Sequence, residues 1–202
     1  MSFFSSQQRL VVAHQTEPTD DQPEPEPPEW FGPRRGTLPG QATERAIIFR
    51  TDRAVLVAKQ FEVYPTGLEF TLDLRLRDSS DECFETPWEL HGYGHRRRRG
   101  TPEVSDDLLR LGIEFSDGRA WSNVAPTNAD WNEPPESPVL MGRGGGGGGD
   151  QWEMRYWLWP LPPPERLTFH AAWPLFDIDE TSVSVDATAL LEASKQSELL
   201  WQ

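Results

Sequence analysis

Cysteine is almost absent from this chain of 202 residues, which holds Cys83 alone. A single thiol forms no disulfide within the chain, and a structural zinc site requires about four Cys or His ligands. Long apolar runs are missing as well, since no stretch approaches the ~18 residues of a membrane-spanning helix. The beginning of the chain lacks the pattern of a secretory signal, so we expect a cytoplasmic protein.

Positive charge is scarce too, with 19 Lys and Arg against 33 Asp and Glu and a formal net charge of −14. Nucleic acids and anionic membranes select basic surfaces, so neither is an expected partner. The exception is a basic run after His95, formed by Arg96, Arg97, Arg98 and Arg99. This run is either a solvated loop or a site whose guanidinium groups pair with carboxylates of the same protein or of a second subunit.

The N-terminal part of the chain supplies such carboxylates. Residues 16–29 hold six acidic residues and five prolines, with no basic and no apolar side chain. A segment of this composition cannot bury enough apolar surface to offset the entropy lost on ordering. We therefore predict a largely disordered or extended arm over residues 1–43, in which Trp30 and Phe31 are the first residues to reach the core.

From residue 44 onward the pattern is that of short strands, and residues 44–202 are predicted to form one domain. Residues 68–77 alternate apolar and polar side chains, the pattern of a strand with one buried and one solvent-facing side. About eight such strands precede a stretch of helix formers, for which Asp186 is the expected N-cap. The sequence predicts a mainly β fold: a two-layer antiparallel β-sandwich, Ig-like or jelly-roll-like, with one C-terminal helix over residues 187–201.

Six consecutive glycines occupy residues 144–149. Neither the Gly-Lys-Ser/Thr ending nor the helix pattern of a phosphate-binding loop follows them. We interpret the run as a flexible hairpin loop. A strip that lets another backbone approach closely is the first alternative, and a mobile lid is the second.

Two tryptophans lie on the unexpected side of a predicted strand. Trp157 and Trp159 face away from its apolar side, where a two-layer sandwich normally meets water. Either the C-terminal helix covers them, or they form with Pro160 and Pro162 an exposed platform that binds a protein partner or stacks on a sugar.

Residues suited to catalysis are few. His91 and His95 are four residues apart, but two glycines between them disfavour the helix on which that spacing binds metal. They are weak candidates for metal ligands, and no third ligand follows at a recognisable spacing. No nucleophile elbow is present, so we predict neither a catalytic residue nor a cofactor.

The C-terminal half contains several motifs in an order that resembles a known group of proteins. The glycine run precedes Trp-Leu-Trp-Pro-Leu-Pro-Pro-Pro at residues 157–164, and Trp-Pro-x-Phe-x-Ile-x-Glu follows at residues 173–180. This order resembles that of a group of actinobacterial proteins without a known activity. The resemblance spans roughly residues 45–201 and implies one compact domain, with no catalytic residue to transfer.

These observations favour a non-enzymatic β-sandwich that binds or assembles with protein, either a different chain or further copies of itself. Binding would use the aromatic and proline surface and the acidic arm. A carbohydrate-binding or small-ligand-binding module is one alternative, and an unrecognised enzyme or metal site around His91 and His95 is another.

Overall fold

The computed structural model describes residues 26–78, 108–124, 133, 135 and 138–201, and strands dominate these ranges. The helix α1 (Ala187–Ser194) lies near the C-terminus, as predicted. The strands in chain order are β1 (Thr37–Leu38), β2 (Gly40–Ala42), β3 (Ala46–Arg50), β4 (Ala54–Val63), β5 (Leu68–Leu76), β6 (Arg110–Phe115), β7 (Ala120–Ser122), β8 (Val139–Gly148), β9 (Gln151–Trp159), β10 (Arg166–Trp173), β11 (Ile178–Asp186) and β12 (Glu198–Leu199).

These strands form three antiparallel sheets. The six-stranded sheet has the order β2-β4-β5-β9-β8, with β3 paired to the first half of β4 on the same side as β2. The four-stranded sheet has the order β11-β10-β6-β7, and β1 and β12 form a short ribbon. The two larger sheets pack face to face: the rings of Phe70 and Phe169 meet at 5.3 Å, and Phe61 lies 6.2 Å from Phe169. The predicted two-layer antiparallel sandwich is confirmed.

Strand β5 lies at the centre of the six-stranded sheet and is buried on both sides. Its apolar residues face the core, as the alternating pattern predicts. The prediction of a solvent-facing second side is wrong, because Glu69, Thr71 and Asp73 on that side are also buried. A buried carboxylate requires partners. Those of Glu69 are Arg143 of β8 and Arg155 of β9, and those of Asp73 are Lys59 of β4 and Arg75 of β5 itself.

Part of the predicted arm belongs to the sandwich. Gly40 in β2 pairs with Val63 of β4, and Thr37 in β1 pairs with Leu199 of β12. The sandwich therefore includes residues before position 44, whereas residues 1–25 lie outside the described part of the chain.

The C-terminal helix is shorter than predicted. The Asp186 carboxylate accepts a hydrogen bond from the Thr188 amide at 2.8 Å, which confirms it as the N-cap, but the helix ends at Ser194 instead of residue 201. The earlier end leaves β12 extended so that it pairs with β1. Leu190 is fully buried in the core, so α1 packs between the sheets and not over the tryptophans of β9. Among the described residues, no helix is long and apolar enough to cross a membrane.

Candidate functional site

The outer face of the six-stranded sheet, turned away from the core, carries a second apolar cluster. We call it the aromatic slot. Antiparallel pairing builds it, because Met141 of β8 lies opposite Trp157 of β9. The slot consists of Tyr64, Val139, Met141 and Trp157, with Trp159 packed against them. Phe31, which belongs to the N-terminal segment, packs against the same cluster.

Trp157 is the centre of the aromatic slot and is 0% exposed. Its ring meets that of Tyr64 edge to face, with centroids 5.6 Å apart. Its indole N–H donates a hydrogen bond to the main-chain carbonyl of Glu29 at 3.1 Å. The cover of Trp157 therefore comes from the N-terminal segment and not from the C-terminal helix.

The segment that covers the slot is residues 26–32, which we call the docked segment. It forms a turn in which the Phe31 amide donates to the Pro28 carbonyl at 2.8 Å. The Arg143 side chain donates to the Phe31 carbonyl at 3.1 Å, and the Trp30 ring lies edge-on to Trp159 at 6.1 Å. Main-chain carbonyls and aromatic rings together hold this segment against the slot in a defined backbone conformation.

Arg143 connects the slot to buried charge. Its Nε atom lies 3.3 Å from a carboxylate oxygen of Glu69, whose other oxygen is 3.6 Å from Arg155. Arg155 also lies 3.7 Å from Glu62. Burial, together with the negative charges of Glu69 and Glu62, raises the pKa of Tyr64 to about 12, so this phenol stays neutral at physiological pH.

A second charged group lies further along the same face. Lys59 donates to Asp73 and to Glu153, each at 2.7 Å, and Arg75 donates to Asp73 at 2.9 Å. Burial by itself would raise the pKa of the Asp73 carboxyl. The hydrogen bonds from Arg75 and Lys59 outweigh burial and hold that pKa below its ordinary value. Asp73 is thus a satisfied structural carboxylate.

The depressed pKa of Asp73 predicts a loss of stability in acid. A carboxyl whose folded-state pKa lies below its ordinary value of 3.8 stabilises the fold above that value, and the stabilisation is lost as pH falls through the folded-state pKa. We expect Asp73→Asn to be less stable than the wild type near pH 7, with a shallower fall between about pH 5 and pH 2. Urea unfolding across that range measures the difference. Parallel curves for the two proteins would contradict the assignment.

The glycine run is a strand, and its interpretation as a flexible hairpin loop is wrong. Residues 144–148 belong to β8 and pair with β9, and the turn is confined to Gly149 and Asp150. A Cβ atom at Gly145 would lie 2.3 Å from the Glu153 carbonyl oxygen, and one at Gly147 would lie 2.3 Å from that of Gln151. Close backbone approach, the first alternative, describes these two positions.

The candidate residues of the predicted platform are not an exposed surface in the structure. Trp157 and Pro162 are buried, while Trp159 and Pro160 are half-buried, so the prediction of an exposed platform does not hold. The remaining candidates, His91, His95, Arg96, Arg97, Arg98 and Arg99, lie outside the described residues. Within the described ranges, no group of three or more His, Cys, Asp or Glu is arranged to hold a metal ion.

Sequence reasoning missed most of the slot. Tyr64, Met141 and Arg143 carried no signal of their own, because each joins the site only through pairing or packing of distant segments. The one available clue was Trp30-Phe31, an aromatic pair at the end of an otherwise polar, proline-rich stretch.

Comparison with known proteins does not add a relative. No protein-family model matches the chain, and no curated protein or solved structure is significantly similar to it. The resemblance to actinobacterial proteins stays a prediction.

Proposed function

We propose that this protein is a cytoplasmic protein-interaction module that binds short, turn-forming peptide segments in the aromatic slot. The observation that carries the proposal is the hydrogen bond from the fully buried Trp157 indole to the Glu29 carbonyl at 3.1 Å. A buried tryptophan that gives its N–H to a peptide backbone combines a large apolar contact with a directional one, the combination found at binding hot spots.

The contacts of the docked segment indicate what the slot selects. Trp157 and Arg143 both donate to main-chain carbonyls, so they recognise the backbone turn and not particular side chains. The edge contact between Trp30 and Trp159 adds a preference for an aromatic residue at that position. The partner class is therefore a protein with a turn that carries two adjacent aromatic residues, on a different chain or on a second copy of this one.

Emptying the slot tests this function. The double variant Trp30→Ala/Phe31→Ala removes both rings of the docked segment and leaves Trp157 and Arg143 in place. We expect it to bind a synthetic peptide of residues 24–34 at least about ten-fold more tightly than the wild type does. The reason is that the wild-type segment competes as a tethered ligand at an effective concentration on the order of millimolar. Calorimetric titration measures both affinities.

Two controls accompany this titration. A peptide with alanine in place of both aromatic residues is expected not to bind, and Trp201→Ala, which alters an exposed tryptophan, is expected to bind like the wild type. If the double variant retains the wild-type amide spectrum and still fails to bind the peptide, the proposed function is wrong.

The two alternative functions gain no support from the described residues. A buried Trp157 offers no free ring face on which a sugar would stack. The enzyme or metal site around His91 and His95 concerns residues outside the described ranges and stays a prediction.

A further inference from the structure

Trp30 is poorly accommodated in the docked segment. Its indole Nε1 is buried and has no hydrogen-bond partner among the described residues. Trp157, by contrast, satisfies its own indole N–H within the same site. Leaving a buried donor unpaired carries a free-energy cost equivalent to roughly ten-fold in an equilibrium constant. The chain's own segment is therefore a weaker ligand than the slot is able to bind.

We propose that the docked segment is a displaceable occupant, and that the slot's partner is a turn-forming protein segment in which two adjacent phenylalanines take the positions of Trp30 and Phe31. This inference rests on the proposed function and adds the partner's chemistry. A phenylalanine ring in place of Trp30 keeps the edge contact with Trp159 but has no N–H group for docking to bury. The partner thus retains the favourable contacts of the resident segment without its unpaired donor.

The attachment of the docked segment to the sandwich permits this exchange. The carbonyl groups of Glu29 and Phe31 accept hydrogen bonds from side chains of the sheet. Within the described part of the chain, strand pairing begins at Thr37. Release of residues 26–32 therefore breaks no strand pairing, and the slot stays assembled for an incoming peptide.

The first experiment examines the occupant within the full chain and needs no added ligand. In Trp30→Phe, we expect hydrogen exchange at the Phe31 amide, which donates to the Pro28 carbonyl, to slow by about ten-fold because docking no longer buries an unpaired donor. Trp201→Phe, which alters an exposed tryptophan, is the matched control and is expected to leave that exchange unchanged. Unchanged or faster exchange in Trp30→Phe would overturn the proposal.

The second experiment compares two peptides of residues 24–34 on Trp30→Ala/Phe31→Ala, one with the natural sequence and one with phenylalanine at position 30. We expect the phenylalanine peptide to bind about ten-fold more tightly, and to displace the docked segment of the wild-type chain. Equal affinities would overturn the inference and leave the proposed function intact. Failure of both peptides to bind would overturn the proposed function, and the inference with it.

Discussion

Trp157→Ala is expected to lower the free energy of unfolding by about 3–5 kcal/mol, the range found when a large buried aromatic side chain is truncated. Trp157 is 0% exposed and contacts both the sheet and the docked segment. The substitution removes the packing of the indole and leaves the Glu29 carbonyl without its donor. Urea unfolding followed by circular dichroism measures the loss.

Trp201→Ala is the matched control for this variant, because it makes the same chemical change at a side chain that is 71% exposed. We expect its effect to stay within about 0.5 kcal/mol. Trp157→Phe is expected to lie between the two, since it keeps a ring in the slot but lacks the N–H donor. A cost below about 1 kcal/mol for Trp157→Ala would contradict the burial of this side chain under the docked segment.

The second large effect concerns alternate glycines of β8. Gly145→Ala and Gly147→Ala are each expected to lower the free energy of unfolding by about 1–3 kcal/mol, the usual range for overpacking. The added methyl group would lie 2.3 Å from a carbonyl oxygen of β9 at either position, and it would press on Met154 or Trp152. The hairpin of β8 and β9 therefore has to shift before it accepts either alanine.

Gly146→Ala and Gly148→Ala are the matched controls, since a Cβ atom at these positions meets no atom within 4 Å. Alanine there restricts the unfolded chain and is expected to be neutral or to stabilise by up to about 1 kcal/mol. Thermal unfolding of the four single variants gives the comparison. Four equal melting temperatures would indicate a loop and contradict the pairing of the glycine run with β9.

The sandwich could be predicted from the sequence because its signal is local. The alternation of residues 68–76 specifies which side of β5 faces the core, and that pattern needs no knowledge of the strand's neighbours. The N-cap at Asp186 is equally local. The early end of α1 is not, because residues 198–199 are extended only through their pairing with β1 near the other end of the domain.

The slot could not be predicted because its contacts join segments that are far apart in the chain. Its central hydrogen bond joins Trp157 to Glu29, which is 128 residues away in the chain. The proline-rich composition of residues 16–29 suggested that this segment stays apart from the fold, but the Glu29 carbonyl and the rings of Trp30 and Phe31 contact the sheet. The glycine run was wrongly interpreted as a loop for a related reason. Glycine has low strand propensity, and this strand forms through its pairing with β9.

Because the glycine run is a strand, it matters whether its length changes by an odd or an even number of residues. A flexible loop would tolerate the gain or loss of a single glycine. The pairing of β8 with β9 already shifts once, between Gly142 and Gly144. One additional glycine that no second bulge absorbs would shift residues 139–141 by one position against β9 and turn Met141 from the slot to the core. Two additional glycines would restore its side. Among natural length variants, we therefore expect the tract to change in steps of two.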